Sequence, residues 1–165
     1  MVDEVIRSFT RTLDFLRRML ADVPETMMTV QPCGAVNHPA WVVGHLTYSC
    51  QAIGGELGLE PWLPVNWEQQ FGTGSAPVER RDAYPNKPEL LAALADAERR
   101  ITQRIHELGE ADLVKPLPDI RCRDEFPTVG HAVLHILTSH AAVHVGQVTV
   151  WRRVVGLEPL KEPFI

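Results

Sequence analysis

The chain has 165 residues, a length that suits one domain with a full-sized core. Apolar residues make up 45% and charged residues 22%, ordinary proportions for a globular protein. The net charge is −5 and basic residues never run beyond short pairs, which argues against nucleic acid and anionic membrane as partners. The opening stretch, MVDEVIRSFTRTLDFLRRML, carries acids at once and lacks the apolar segment of a secretory signal. Within it Val2, Val5, Ile6, Phe9, Leu13, Leu16, Leu20 and, further on, Val23 recur at steps of three and four. That spacing predicts an amphipathic helix over residues 3–22, closed by Pro24. A second helix opens at NHPAW, where Asn37 is placed to cap and Pro39 is tolerated in the first turn; its pattern runs to Gly58. Residues 59–86 are long for a connection in a compact domain. They read as a crossover that carries the third helix back parallel to the second, with Trp62, Trp67 and Phe71 packing it down as a cover. A packed surface loop without a role is the plainer alternative.

The third helix is predicted from Lys87 to Leu108, with Leu91, Leu94, Ile101, Ile105 and Leu108 on its inner face and Gly109 past its end. The fourth starts at Thr128, a good N-cap, and ends in Arg152 and Arg153 before Gly156 and Pro159. No alternating strand pattern appears, so the expected fold is all-α, a four-helix bundle in one domain over residues 1–165. Cys33, Cys50 and Cys122 are odd in number, widely spaced and without a CxxC, which fits a reducing compartment rather than a disulfide framework. No apolar run reaches the length of a membrane span. The expected setting is the cytoplasm.

Chemistry enters at SHAAVHVGQVTVW, residues 139–151. On a regular helical wheel His140, His144, Gln147 and Trp151 share the apolar face, whereas His131 and His135 fall on the opposite side and cannot join the first pair. Two stacked core histidines are hard to satisfy by hydrogen bonds, because local helix amides are already paired and Ala141, Val143 and Val145 offer nothing. A divalent metal resolves this by taking one nitrogen from each ring. Ala141 stands where HExxH has its glutamate, so this is not that motif, and a third ligand must come from elsewhere. His45 on the second helix is the candidate; its depth matches that of His144 better if the two helices run antiparallel. His38 lies two turns away, about 10 Å, too far to share one ion with His45.

Taken together, NHPAWVVGHL (37–46), its QP.G lead-in, the long crossover and HILTSHAAVHVGQVTVWRRVVGLEP (135–159) resemble the DinB/YfiT-like superfamily, most closely its DinB_2 branch. The resemblance covers nearly the whole chain. It implies an up-down-down-up four-helix bundle, often a homodimer, with a three-histidine metal site at His45, His140 and His144, and it places Gly146 and Gln147 on the family's GQ. Similar proteins include thiol-dependent S-transferases using mycothiol or bacillithiol, a mycothiol-dependent maleylpyruvate isomerase, and the iron-binding domain of ergothioneine-forming sulfoxide synthases. The resemblance thus implies zinc or nickel, with iron as a further choice, and a low-molecular-weight thiol as cofactor. The function expected is a metal-dependent S-transferase or related hydrolase acting on a small-molecule substrate; the alternative is a non-catalytic metal-binding dimer.

Other candidates are weighed against plain structural roles. Gln147 lies one turn past His144 and can hydrogen-bond a ligand or simply pack. Tyr48 and Glu56 share the His45 side of the second helix as candidate acid or base, with surface exposure the default for Glu56. Cys50 is most simply a buried small residue. Arg152 is by default a helix-terminal cation, although a substrate carboxylate is a conceivable partner. The crossover should wall off a substrate-sized pocket above the ion in an enzyme and not in a binder.

Overall fold

A computed structural model describes residues 2–32 and 37–160, and among these it is all helical, with no strand. Cys33, and Gly34 of the QP.G lead-in, lie outside the described residues. Cys50 is a buried free thiol and Cys122 an exposed one. No helix is long and apolar enough to cross a membrane.

Helix α1, Val2–Leu20, has Asp3 and Glu4 in its first turn and Arg17 and Arg18 in its last, so charges oppose the helix dipole at both ends. It buries Phe9, Leu13, Leu16, Met19 and Leu20 along one stripe. Helix α2, Pro39–Glu56, is buried on nearly every side, which makes it the central element. Its cap is His38 rather than Asn37: the His38 Nδ1 accepts from the Trp41 amide at 3.1 Å, while Asn37 is engaged elsewhere. An imidazole lone pair serves here as a side-chain oxygen does in ordinary caps. Gly58, with φ at 82°, takes the left-handed turn that ends the helix.

The crossover contains a short helix α3, Trp67–Phe71, and a 3₁₀ turn at Arg81–Ala83. It runs back along α2. In order down α2, His38 donates from Nε2 to the Val78 carbonyl, Trp41 from Nε1 to Ser75, and His45 from Nδ1 to the Phe71 carbonyl. Further down, Gln51 accepts from the Trp62 and Leu63 amides. Helix α4, Lys87–His106, opens with an Asn86–Glu89 capping box and buries Leu90, Leu94, Ala97, Ile101 and Ile105. Leu91 and Leu108 of the predicted inner face are only its margins. Helix α5, Glu110–Leu113, and a 3₁₀ turn at Ile120–Cys122 fill the next connection.

The last long helix is two α segments joined by a π turn: α6, Val129–His135, then Ile136–His140, then α7, Ala141–Val154. Thr128 caps α6, as expected, and Gly156, with φ at 80°, follows α7. α2 packs on α4 and α7, and α1 packs on α4, the π turn and α7. All four long helices feed one hydrophobic cluster. Arg152 is buried at 3% exposure and ties α7 to the end of α1 through Asp22 and the Met19 carbonyl, and it also donates to the Glu158 carbonyl just past α7. Its side chain is committed to structure and does not reach the histidines.

Candidate metal centre

His45 stands in the middle of α2, 7% exposed. Its Nδ1–H donates to the Phe71 carbonyl at 2.6 Å, an arrangement assigned from the hydrogen-bond network that leaves the lone pair on Nε2. Trp41, one turn earlier, stacks on the ring with centroids 4.6 Å apart and planes 8° apart. The close fit of α3 depends on Gly44, since a Cβ there would overlap the Phe71 ring. A lone glycine in the helix thus sets where the carbonyl that orients His45 can sit.

His140 closes the π turn and His144 follows one turn into α7. The three rings converge, with centroids 5.0 Å apart for His45 and His140, 4.4 Å for His45 and His144, and 4.6 Å for His140 and His144. One nitrogen from each ring lies within 4.8 Å of the others. The Nε2 atoms of His45 and His140 are 3.0 Å apart. Two imidazoles bound tetrahedrally to one ion, at about 2.0–2.1 Å each, hold their nitrogens about 3.3 Å apart. His144 donates from Nδ1 to Gln147 Oε1 at 3.0 Å, so its Nε2 is also bare. His140 Nδ1 is buried with no hydrogen-bond partner among the described residues.

Burial lowers all three imidazoles. His140 is pushed down to about 3 by desolvation and by the neighbouring imidazoles, and His144 to about 4 by desolvation with His45 adding to it. His45 is lowered by desolvation, against its bond to Phe71. All are neutral near pH 7, the state that ligates metal. The three histidines are therefore positioned to bind a metal ion, with no carboxylate or thiolate joining them among the described residues.

The structure corrects several sequence expectations around this centre. The buried face of α7 runs through Ala141, Val145, Val148 and Trp151, so His140 and His144 sit at its half-buried edge rather than inside it. His131 is exposed and bonded to Thr128, on the outside as the wheel predicts. His135 is not on the far side: its ring lies 6.0 Å from that of His140 and 4.9 Å from Phe126. The wheel assumes four-residue hydrogen-bonded turns, and the π turn takes five, which swings His135 back toward the site.

Glu56 is half-buried and occupied, its Oε2 accepting the Asp119 amide at 2.9 Å at the far end of α2. Tyr48 remains nearer, one turn past His45 and against Gly72; burial and then the Glu68 carboxylate raise its hydroxyl above the usual range. Cys50 is fully buried and pushed up to about 12, an inert thiol. Trp62 packs on Gly54 and under Arg100, away from His45, while Trp67 and Phe71 are buried.

Two contributors were not identified from the sequence. Asn37 bonds from Nδ2 to Gln147 at 3.0 Å, a role hidden behind its capping residue type. The Phe71 carbonyl has no sequence signal, because every residue carries one. No curated protein sequence matches the chain. The family model of the DinB superfamily matches residues 8–148, a span that runs from α1 into α7 and takes in all three histidines. The chain belongs to the DinB superfamily.

Proposed function

We propose that this protein is a metal-dependent enzyme of the thiol S-transferase or related hydrolase kind, holding one divalent ion, zinc or nickel in preference to iron, on His45, His140 and His144. The observation that carries the reading is the donor set: three neutral imidazoles converge without an anionic partner among the described residues. An ion held by such a set keeps its full charge and an open position, where a water or a low-molecular-weight thiol becomes more acidic. The chain's own residues do the rest. Phe71 and Gln147 keep protons on the outward nitrogens of His45 and His144. Trp41 covers one face of the site, and the half-buried edges of His140 and His144 are the side from which a small molecule would approach. Tyr48, whose hydroxyl is raised, holds its proton at neutral pH and is the candidate general acid.

With this reading go an up-down-down-up arrangement of the four long helices in one domain, a cytoplasmic setting, a homodimer, and no nucleic-acid partner. The decisive assay incubates metal-loaded and metal-free protein with a panel of bacterial thiols and a chromogenic electrophile. Metal-dependent conjugation, lost in His144→Ala, is expected with at least one thiol. Equal rates with and without metal for every thiol overturn the transferase reading.

One observation favours a second reading, a metal-binding protein without catalysis. The crossover lies along α2, but a cavity of about 310 Å³ on it is lined by its own residues, among them Gln70, Val78 and Tyr84, and not by the histidines. Metal content of about one ion per chain with no turnover of any thiol or ester supports that reading.

A further inference from the structure

We propose that Asn37 and Gln147 are positioning residues whose paired amides set which ring nitrogen of His144 carries the proton, and so whether His144 can ligate. The inference rests on the reading of His45, His140 and His144 as metal ligands. Gln147 Oε1 stands 3.0 Å from His144 Nδ1 and 3.0 Å from Asn37 Nδ2, so one oxygen accepts two donors and joins the start of α2 to α7. In this arrangement the His144 proton is on Nδ1, and the bare Nε2 is left for an ion.

An amide has two ends of nearly equal size and opposite polarity. If Gln147 presented its NH₂ group instead, that group would donate to Asn37 Oδ1 and to an unprotonated His144 Nδ1. The proton would then sit on Nε2 and block ligation. Both arrangements satisfy the same three side chains, so the polarity of the Asn37–Gln147 pair decides between them. Nothing else in the hydrogen bonding of the described residues fixes the His144 ring, whereas His45 is fixed independently by a main-chain carbonyl.

Two substitutions of nearly unchanged shape push the pair in opposite directions. In Asn37→Asp the carboxylate can only accept, so Gln147 turns its NH₂ inward and His144 becomes the Nε2–H form. In Gln147→Glu the carboxylate accepts from both neighbours and keeps the Nδ1–H form. The experiment assigns the protonated ring nitrogen of His144 and His45 by ¹⁵N NMR in metal-free protein at pH 8. It also measures zinc affinity by competition with a chromogenic chelator. Asn37→Asp is expected to move the His144 proton to Nε2, leave His45 unchanged and weaken zinc binding about 10- to 100-fold. Gln147→Glu is expected to bind zinc at least as tightly as the parent. Should Asn37→Asp fail to fold by circular dichroism, Gln147→Met serves instead: it removes the link between Asn37 and His144 and leaves the ring proton free to sit on either nitrogen. It is expected to weaken zinc binding measurably against the parent, but by less than the loss of about 10- to 100-fold expected of Asn37→Asp. The proposal is overturned if His144 stays Nδ1–H in Asn37→Asp, if the two carboxylate variants shift affinity in the same direction, or if Gln147→Met binds zinc like the parent. If the parent protein binds no zinc, the metal reading fails, and the ring-nitrogen assignment still decides the role of the pair.

Discussion

Four of the seven histidines, His38, His45, His140 and His144, are held below the usual imidazole range chiefly by burial. His38 is fully buried and uses both ring nitrogens, one to cap α2 and one to hold the crossover at Val78. Its folded value is about 4, below the ordinary 6.5, so between those values the unfolded chain binds more protons than the folded one. The stability it contributes is therefore complete above pH 6.5 and is lost as the pH falls toward 4. By pH 5 the loss is about 2 kcal/mol from this residue. His38→Asn keeps an acceptor for the Trp41 amide and removes the titration. In metal-free protein its urea midpoint is expected to fall less between pH 7 and pH 5 than that of the parent; equal falls would refute the assignment. The metal ligands make a second prediction at this scale. His45→Ala, His140→Ala and His144→Ala are each expected to release most of the ion from purified protein, measured by elemental analysis, whereas His131→Ala retains it. Full retention in all three would remove the centre. His135 no longer serves as a remote control, since its ring neighbours that of His140.

At the level of elements, the contact between α2 and α3 turns on Gly44. Gly44→Ala would drive a methyl into the Phe71 ring, which is fully buried and has little room to yield. Overpacking of this kind costs about 1–3 kcal/mol, and here it also displaces the carbonyl that orients His45. The variant is expected to show a lower urea midpoint together with weaker metal binding; a change in stability alone would mean that the Phe71 bond is unimportant for the centre. The Asn86 cap of α4 was not identified from the sequence, and His45 was joined to the His140–His144 pair only through its depth on the second helix and the family resemblance. The four long helices, the Thr128 cap and the four-residue spacing of that pair were legible because they are local. The π turn was not. Nothing in ILTSH marks it, and an error of one residue per turn is enough to misplace His135. The crossover aromatics were legible as packed, but not where they pack: Trp62 finds the gap at Gly54, while α3 finds the one at Gly44. Such pairings join residues distant in sequence, and composition carries no record of them.

For the molecule as a whole, the surface of the last helix bears on assembly. Ala141 and Val145 are core, but Val143, Val150 and Val154 are exposed at 61%, 51% and 51% on one side of α7. Such a stripe is suited to a second copy of the chain. Sedimentation at micromolar concentration is expected to give a mass of two chains, falling to one in Val150→Glu; a single-chain mass for the parent would exclude that dimer. The geometry of the centre has one more outcome at this scale. His45 and His140 are 95 residues apart in sequence, so an ion shared between them closes a loop of more than half the chain. Cross-links of that span act mainly by removing freedom from the unfolded ensemble, as a disulfide does in an oxidising compartment. The ion would then be a reversible clasp between the two halves of the polypeptide. The thermal midpoint would rise with the logarithm of free metal above the dissociation constant, and a melting curve alone would report occupancy.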